Sequence, residues 1–102
     1  MLLKRRGKKM KRDKYSCKTD ANQSEIVKAL RDYGCTVTPT HMVGGGFPDL
    51  EVGYKGKNIL LEVKMKGKKL NSKEQAWFTD WKGQAAIAYS PEEAIKIIEA
   101  LI

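Results

Sequence analysis

Residues 48–64 read Pro48-Asp49-Leu50-Glu51-Val52-Gly53-Tyr54, then Lys55-Gly56, then Lys57-Asn58-Ile59-Leu60-Leu61-Glu62-Val63-Lys64. Apolar residues recur at every second position on both sides of Lys55-Gly56. That pattern predicts a hairpin with strands Pro48–Tyr54 and Lys57–Met65 and a two-residue loop. In this register Tyr54 opposes Lys57, Val52 opposes Ile59 and Leu50 opposes Leu61, apolar against apolar. A slip of one residue would mix the two faces. On the opposite face Asp49 falls against Glu62, and Lys64, two residues on, projects to the same side.

Carboxylates opposed across a hairpin repel and destabilise it unless something compensates. Magnesium meets that need: it takes oxygen ligands and is usually held by one or two carboxylates plus substrate phosphate. Asp49 and Glu62 supply the carboxylates, and the backbone carbonyl of Val63 offers a third oxygen. The ammonium of Lys64 can orient an attacking water or stabilise charge building on a phosphorane. Such a cation also polarises the phosphoryl oxygen and acidifies water. The plainer reading is a polar strand face with a surface ion pair. Three features together weigh against it: the acids come from two strands, the reverse face is apolar, and Gly44-Gly45-Gly46 precedes Pro48-Asp49. Three glycines in a row mean either flexibility or backbone passing close to a ligand or partner.

Around the hairpin the elements follow from local signals. Asp20 to Gln23 and Asn22 to Glu25 both have capping-box spacing before a helix over 23–33, with Ile26, Val27, Leu30 and Tyr33 as its stripe and Gly34 as its stop. Cys35–Thr38 reads as a short strand ended by Pro39, and residues 40–47 as a loop. Ser72 to Gln75 reads as the capping box of a second helix over 73–82, stopped by Gly83. Ala85–Tyr89 reads as a strand buried on both faces. Ser90-Pro91-Glu92-Glu93 opens a final helix whose stripe is Ile95, Ile98, Leu101 and Ile102. The order α-β-β-β-α-β-α places the chain in the α/β class, with a central sheet flanked by helices.

The chain has 102 residues and a formal charge of +8, enough length for one domain. Residues 1–18 hold nine basic residues against the single acid Asp13, so this segment carries the whole net charge and the remainder is neutral. The sequence therefore divides into a basic arm, 1–19, and a domain, 20–102. An arm of this kind suits phosphate contact without base reading; alternatively it is a solubilising tail. Apolar runs are too short for a membrane span. No apolar stretch follows Lys4-Arg5-Arg6, which argues against export and for a cytoplasmic protein. Cys17 and Cys35 are too few for a disulfide framework and lack metal-ligand spacing. His41 has no partner pattern and reads as a loop residue. Trp77, Phe78 and Trp81 lie at helical spacing and read as core or dimer packing rather than base stacking.

Pro48-Asp49, a gap, and Glu62-Val63-Lys64 resemble the PD-(D/E)XK nuclease motif. Gly45-Gly46-Phe47-Pro48-Asp49-Leu50, Leu61 to Lys64, Gly67 to Leu70, Ser72 with Gln75, and Ser90 to Glu93 resemble the VRR-NUC branch, including its stand-alone phage and bacterial members. The likeness spans residues 22–102. It implies a restriction-endonuclease-like α-β-β-β-α-β-α core with a mixed sheet, and phosphodiester hydrolysis dependent on Mg2+, with Mn2+ as a substitute. It implies Asp49 and Glu62 as metal ligands, beside the Val63 carbonyl offered by the strand itself, and Lys64 as the catalytic lysine. By the same likeness Glu25 is the helix-one acid near the metal, and Gln75 the helix-two glutamine reaching back to the site. Lys66, Lys68, Lys69 and Lys73 follow the motif and would contact DNA phosphate. Stand-alone members resemble Holliday-junction resolvases, so the implied substrate is branched DNA, the implied assembly a homodimer, and a phage gene in a bacterial host fits. The competing readings are a non-enzymatic nucleic-acid binder working through the arm, and a nuclease of linear duplex or flap DNA.

Overall fold

Lys55 and Gly56 both carry positive φ, 49° and 81°, the signature of a type I′ turn, whose twist matches that of the strands it joins. In the computed structural model, which describes residues 20–101, this turn links β2 (Leu50–Tyr54) to β3 (Lys57–Val63). The pairs are Leu50 with Leu61, Val52 with Ile59 and Tyr54 with Lys57, the register the alternation predicts. Leu50, Val52, Ile59, Leu61 and Val63 are all buried. Both strands are shorter than expected at the end away from the turn.

The other elements are α1 (Gln23–Tyr33), β1 (Thr36–Pro39), α2 (Ser72–Asp80), β4 (Ala85–Ala88) and α3 (Pro91–Leu101). The sheet runs β1-β2-β3-β4. β1 and β3 flank β2 antiparallel, and β4 lies parallel to β3. A parallel neighbour requires a crossover, and α2 is its helix. Pro39 is tolerated inside β1 because that strand is at an edge. The apolar face of the sheet packs against Ile26 and Leu30 of α1 and Ala94 and Ile98 of α3, forming the core with Cys35 and Val37. Leu60, Glu62 and Lys64 alternate onto the other face, the side of α2. The mixed sheet with helices on both faces is thus the predicted architecture. No helix among the described residues is long and apolar enough to cross a membrane. The basic arm, Cys17 and Ile102 lie outside the described residues.

Four local expectations are corrected. Asn22 is the N-cap of α1, but its side chain makes no capping bond. Its Nδ2 instead donates to the carbonyls of Lys64 (3.3 Å) and Tyr89 (3.0 Å), and Asp20 accepts the Met65 N–H at 3.0 Å. Backbone groups at the strand ends need partners, and these side chains supply them. The box of α2 is Asn71 with Glu74, one residue earlier than Ser72 with Gln75. The same helix ends at Trp81, extended at φ −73°, ψ 131°, rather than at Gly83; Trp81 stacks on Trp77 with centroids 4.7 Å apart. Finally, β4 is the second sheet edge and only Ala88 is fully buried, because an apolar composition does not reveal edge position. By contrast α1 ends as expected: Gly34 is left-handed at φ 111° and the Cys35 N–H returns to the Leu30 carbonyl at 2.9 Å, a Schellman-type close. The Ser90 hydroxyl likewise caps α3, accepting the Glu93 N–H at 3.1 Å.

The loop between β1 and β2 is closed at its base by Thr40, whose N–H donates to the Asp49 carbonyl (2.7 Å) and whose hydroxyl donates to that of Pro48 (2.8 Å). Inside it Gly44, Gly45 and Gly46 all have positive φ. Gly46 meets the first turn of α2: a Cβ there would overlap the Lys73 carbonyl. The close approach anticipated from the glycine run is thus to a helix of the same chain. Phe47 adds edge-on contacts to Trp77 and Trp81. Gly46→Ala combines this overlap with a left-handed backbone and is expected to lower stability by about 2 kcal/mol or more. The shift in denaturant midpoint measures it, with Gly44→Ala, which meets nothing within 4 Å, isolating the backbone part.

Candidate metal-dependent active site

Asp49 sits immediately before β2, one step beyond the last paired residue, and Glu62 is the penultimate residue of β3. The Asp49 carboxylate accepts the Val63 N–H at 2.8 Å. Along β3 and one step past it, the N–H groups of Leu60 and Lys64 go to the β4 side, to the carbonyls of Gln84 and Ala88, each at 3.1 Å. A strand residue directs its N–H and C=O to the same side, alternating along the chain. Val63 therefore turns both groups toward β2 and Asp49, and its carbonyl lies on the side of the opposed carboxylates.

Glu62 is 2% exposed, and its buried Oε1 has no hydrogen-bond partner. Lys64 Nζ lies 2.8 Å from Glu74 Oε1 and 3.8 Å from Glu62 Oε2. Burial raises the Glu62 carboxyl to about 9; the charges of Asp49 and Glu74 and a hydrogen bond with Glu74 add to the rise, and Lys64 opposes it. Burial also raises Asp49, against the Val63 N–H, and the charges of Asp20 and Glu74 push the same way. Desolvation works against the Lys64 ammonium, but the Glu74 hydrogen bond and charge, with Glu62 and Asp20, outweigh it and raise Lys64 above its ordinary value. Glu74 is lowered: its own desolvation is overcome by its hydrogen bonds to Lys64 and Asn71. The site thus gathers acids whose ionised forms burial disfavours around one ammonium, an arrangement in which a bound divalent cation would favour their ionisation.

The expected residues divide by position. Asp49, Glu62, Val63 and Lys64 come together. Glu25 and Gln75 are exposed on α1 and α2. The acid whose charge reaches Asp49 and Lys64 from the start of α1 is Asp20, and the α2 residue that reaches Lys64 is Glu74. Reading the sequence for caps hides both, because their spacing to Gln23 and Asn71 is also capping spacing. Lys66, Lys68 and Lys69 are exposed in the turn after β3, and Lys73 is exposed on α2. His41 is half-buried in the β1–β2 loop. Among the described residues no group of three or more His, Cys, Asp or Glu side chains is arranged to hold a metal ion. The donors on offer are two carboxylates and a carbonyl, the set that magnesium with retained waters accepts. The orphaned Glu62 Oε1 fits that role.

No protein-family model matches the chain, and no curated protein matches it. A solved structure of a VRR_NUC domain superposes with a TM-score of 0.61 at 20% identity, covering 81% of this chain and all of that one. The chain has the fold of that domain.

The Glu62 shift carries a pH dependence. Between the ordinary value of 4.5 and about 9 the folded protein holds a proton that the unfolded chain has released. Stability therefore falls as pH rises through this window, by at most about 1.4 kcal/mol per unit. Urea midpoints in chelator should drop steadily from pH 6 to pH 9, and Glu62→Gln should flatten the profile. A wild-type profile already flat over that range would show that Glu62 ionises normally.

Proposed function

We propose that the protein is a magnesium-dependent DNA endonuclease that hydrolyses phosphodiester bonds, with Mn2+ able to substitute. The observation that carries this reading is buried Glu62 with half-buried Asp49 across the hairpin from it, beside the Lys64 ammonium. Its likeness in fold to a VRR_NUC domain supports it. Asp49, Glu62 and the Val63 carbonyl would hold the cation. Once bound, that cation supplies the charge that activates water and stabilises the reacting phosphoryl oxygens. Asp49 is oriented by the Val63 N–H and cannot swing away without leaving that donor unpaired.

Lys64 stays an ammonium, because its acid partners raise its pKa. A protonated lysine is a poor base. It orients the attacking water and counters charge on the phosphorane. Lys66, Lys68, Lys69 and Lys73 are proposed phosphate contacts, joined by the basic arm. Glu25 is proposed as the helix-one acid near the metal and Gln75 as the helix-two glutamine reaching back to the site, both on exposed positions of α1 and α2. The substrate we propose is branched DNA of the four-way-junction type, cut in a cytoplasmic, phage or bacterial setting by a homodimer whose two sites serve two strands. Trp81, 41% exposed beside half-buried Trp77 and Phe78, supports a dimer contact through α2.

Purified protein should nick a four-way junction in Mg2+ and leave it intact in chelator, with flap, single-strand and duplex substrates compared alongside. Asp49→Ala should cost roughly 100-fold or more in rate. Undiminished cutting by that variant would falsify the assignment. The concentration of the net charge in residues 1–18 favours a second reading, binding without cleavage. Binding in both metals without any product, abolished by removing residues 1–18, would select it. Sedimentation at micromolar concentration should give twice the mass of 11.5 kDa; a monomer there removes the dimer.

A further inference from the structure

We propose that Glu74 is a positioning residue: it holds the Lys64 ammonium off Glu62 and so keeps the Glu62 carboxylate available to a divalent cation. The inference rests on the metal-dependent reading above and deepens it. Lys64 has two carboxylates within reach, Glu74 at 2.8 Å and Glu62 at 3.8 Å. Its side chain is only 13% exposed, so water is a poor alternative and the ammonium must take a carboxylate. The third acid whose charge reaches it, Asp20, already accepts the Met65 N–H. Without Glu74 the next partner is Glu62, about one ångström further off. A close Lys64–Glu62 pair would neutralise the ligand that the cation requires.

Glu74 is itself fixed. Its Oε1 accepts the Asn71 N–H at 2.9 Å, the same oxygen that meets Lys64, and its own N–H donates to Asn71 Oδ1 at 2.9 Å. The turn that carries it is pressed against Gly46. A negative side chain is also favoured at this end of a helix. The glycine loop thus seats α2, α2 seats Glu74, and Glu74 draws Lys64 away from Glu62. Gln75, one position on, is exposed and makes no such contact with Lys64.

The test uses Mn2+ as the probe, titrated by calorimetry into the full chain without DNA. The variants are Glu74→Gln, Lys64→Met, their double mutant, and Asn71→Ala. Glutamine keeps the capping bond, so Glu74→Gln removes the charge and leaves the helix start. The expected result is a roughly tenfold rise in the Mn2+ Kd for Glu74→Gln, about the worth of one charged hydrogen bond. The same change in the Lys64→Met background should leave Kd unchanged within about twofold, because the competitor is gone. Asn71→Ala keeps the backbone N–H that Glu74 Oε1 accepts and loses only the bond from the Glu74 N–H, so it should change Kd by less than Glu74→Gln does. An equal loss in the Lys64→Met background would make Glu74 a ligand or a plain charge and overturn the proposal. So would no loss at all, a matching loss in Asn71→Ala, or no Mn2+ binding by the wild type. The expected pattern in a protein that cuts no DNA would uphold the role of Glu74 while removing the nuclease reading.

Discussion

The geometry of this domain depends on one tight turn. Lys55 and Gly56 adopt left-handed backbone at consecutive positions, which only a few two-residue loops require. Once that turn is set, every opposed pair from Tyr54 and Lys57 down to Leu50 and Leu61 is determined. Side chains alternate across a strand, so the same turn decides which face is core and which carries charge. Val52, Ile59 and Leu61 go to α1 and α3; Glu62 and Lys64 go to α2. A slip of one residue would bury Glu62 and Lys64 in the core and expose Leu61 and Val63. The cost of that exchange is what makes the placement of the charged trio unique.

The turn alone does not hold Asp49, which lies past the last paired residue. Two backbone contacts do. The Asp49 carbonyl accepts from Thr40, and its carboxylate accepts from Val63. Asp20 and Asn22 clamp the opposite side of the same region through Met65, Lys64 and Tyr89. The ends of β2, β3 and β4 therefore converge where the sheet hydrogen bonding runs out. Backbone groups there need side-chain partners, and the polar residues that answer them surround the site.

This explains what was legible in the sequence. The hairpin, its register and the pair of acids were readable because period-two alternation and turn chemistry are local signals. The stripe of α1 and its glycine stop were readable for the same reason. The starts of α1 and α2 were not. Asp20, Asn22 and Glu74 carry the spacing of caps, yet their strongest partners lie far along the chain: Met65, Tyr89 and Lys64. Only Glu74 does both jobs at once, capping with Asn71 and pairing with Lys64. Likewise Ala85–Ala88 looks like an inner strand by composition, since nothing in four apolar residues says whether a fifth strand follows beside them. Near the expected Glu25 and Gln75 lie Asp20, whose charge reaches Asp49 and Lys64, and Glu74, which pairs with Lys64.

Buried negative charge beside a single ammonium admits three forms of compensation: a proton, the ammonium, or a cation. Burial alone would select the proton, and it drives the Glu62 carboxyl up to about 9. Lys64 is the nearest alternative, but it is already committed to Glu74 at 2.8 Å and stands 3.8 Å from Glu62. On the proposed reading Asp49, Glu62 and the Val63 carbonyl would hold a divalent cation, which would answer both acids at once while Lys64 stays with Glu74. These three then compete: the proton holds Glu62 up to about 9, the ammonium lies closer to Glu74, and a bound cation would have to displace the proton. A polar strand face at the protein surface would need none of this, because water would screen the acids. The 2% exposure of Glu62 is therefore the quantity that separates a site from a surface.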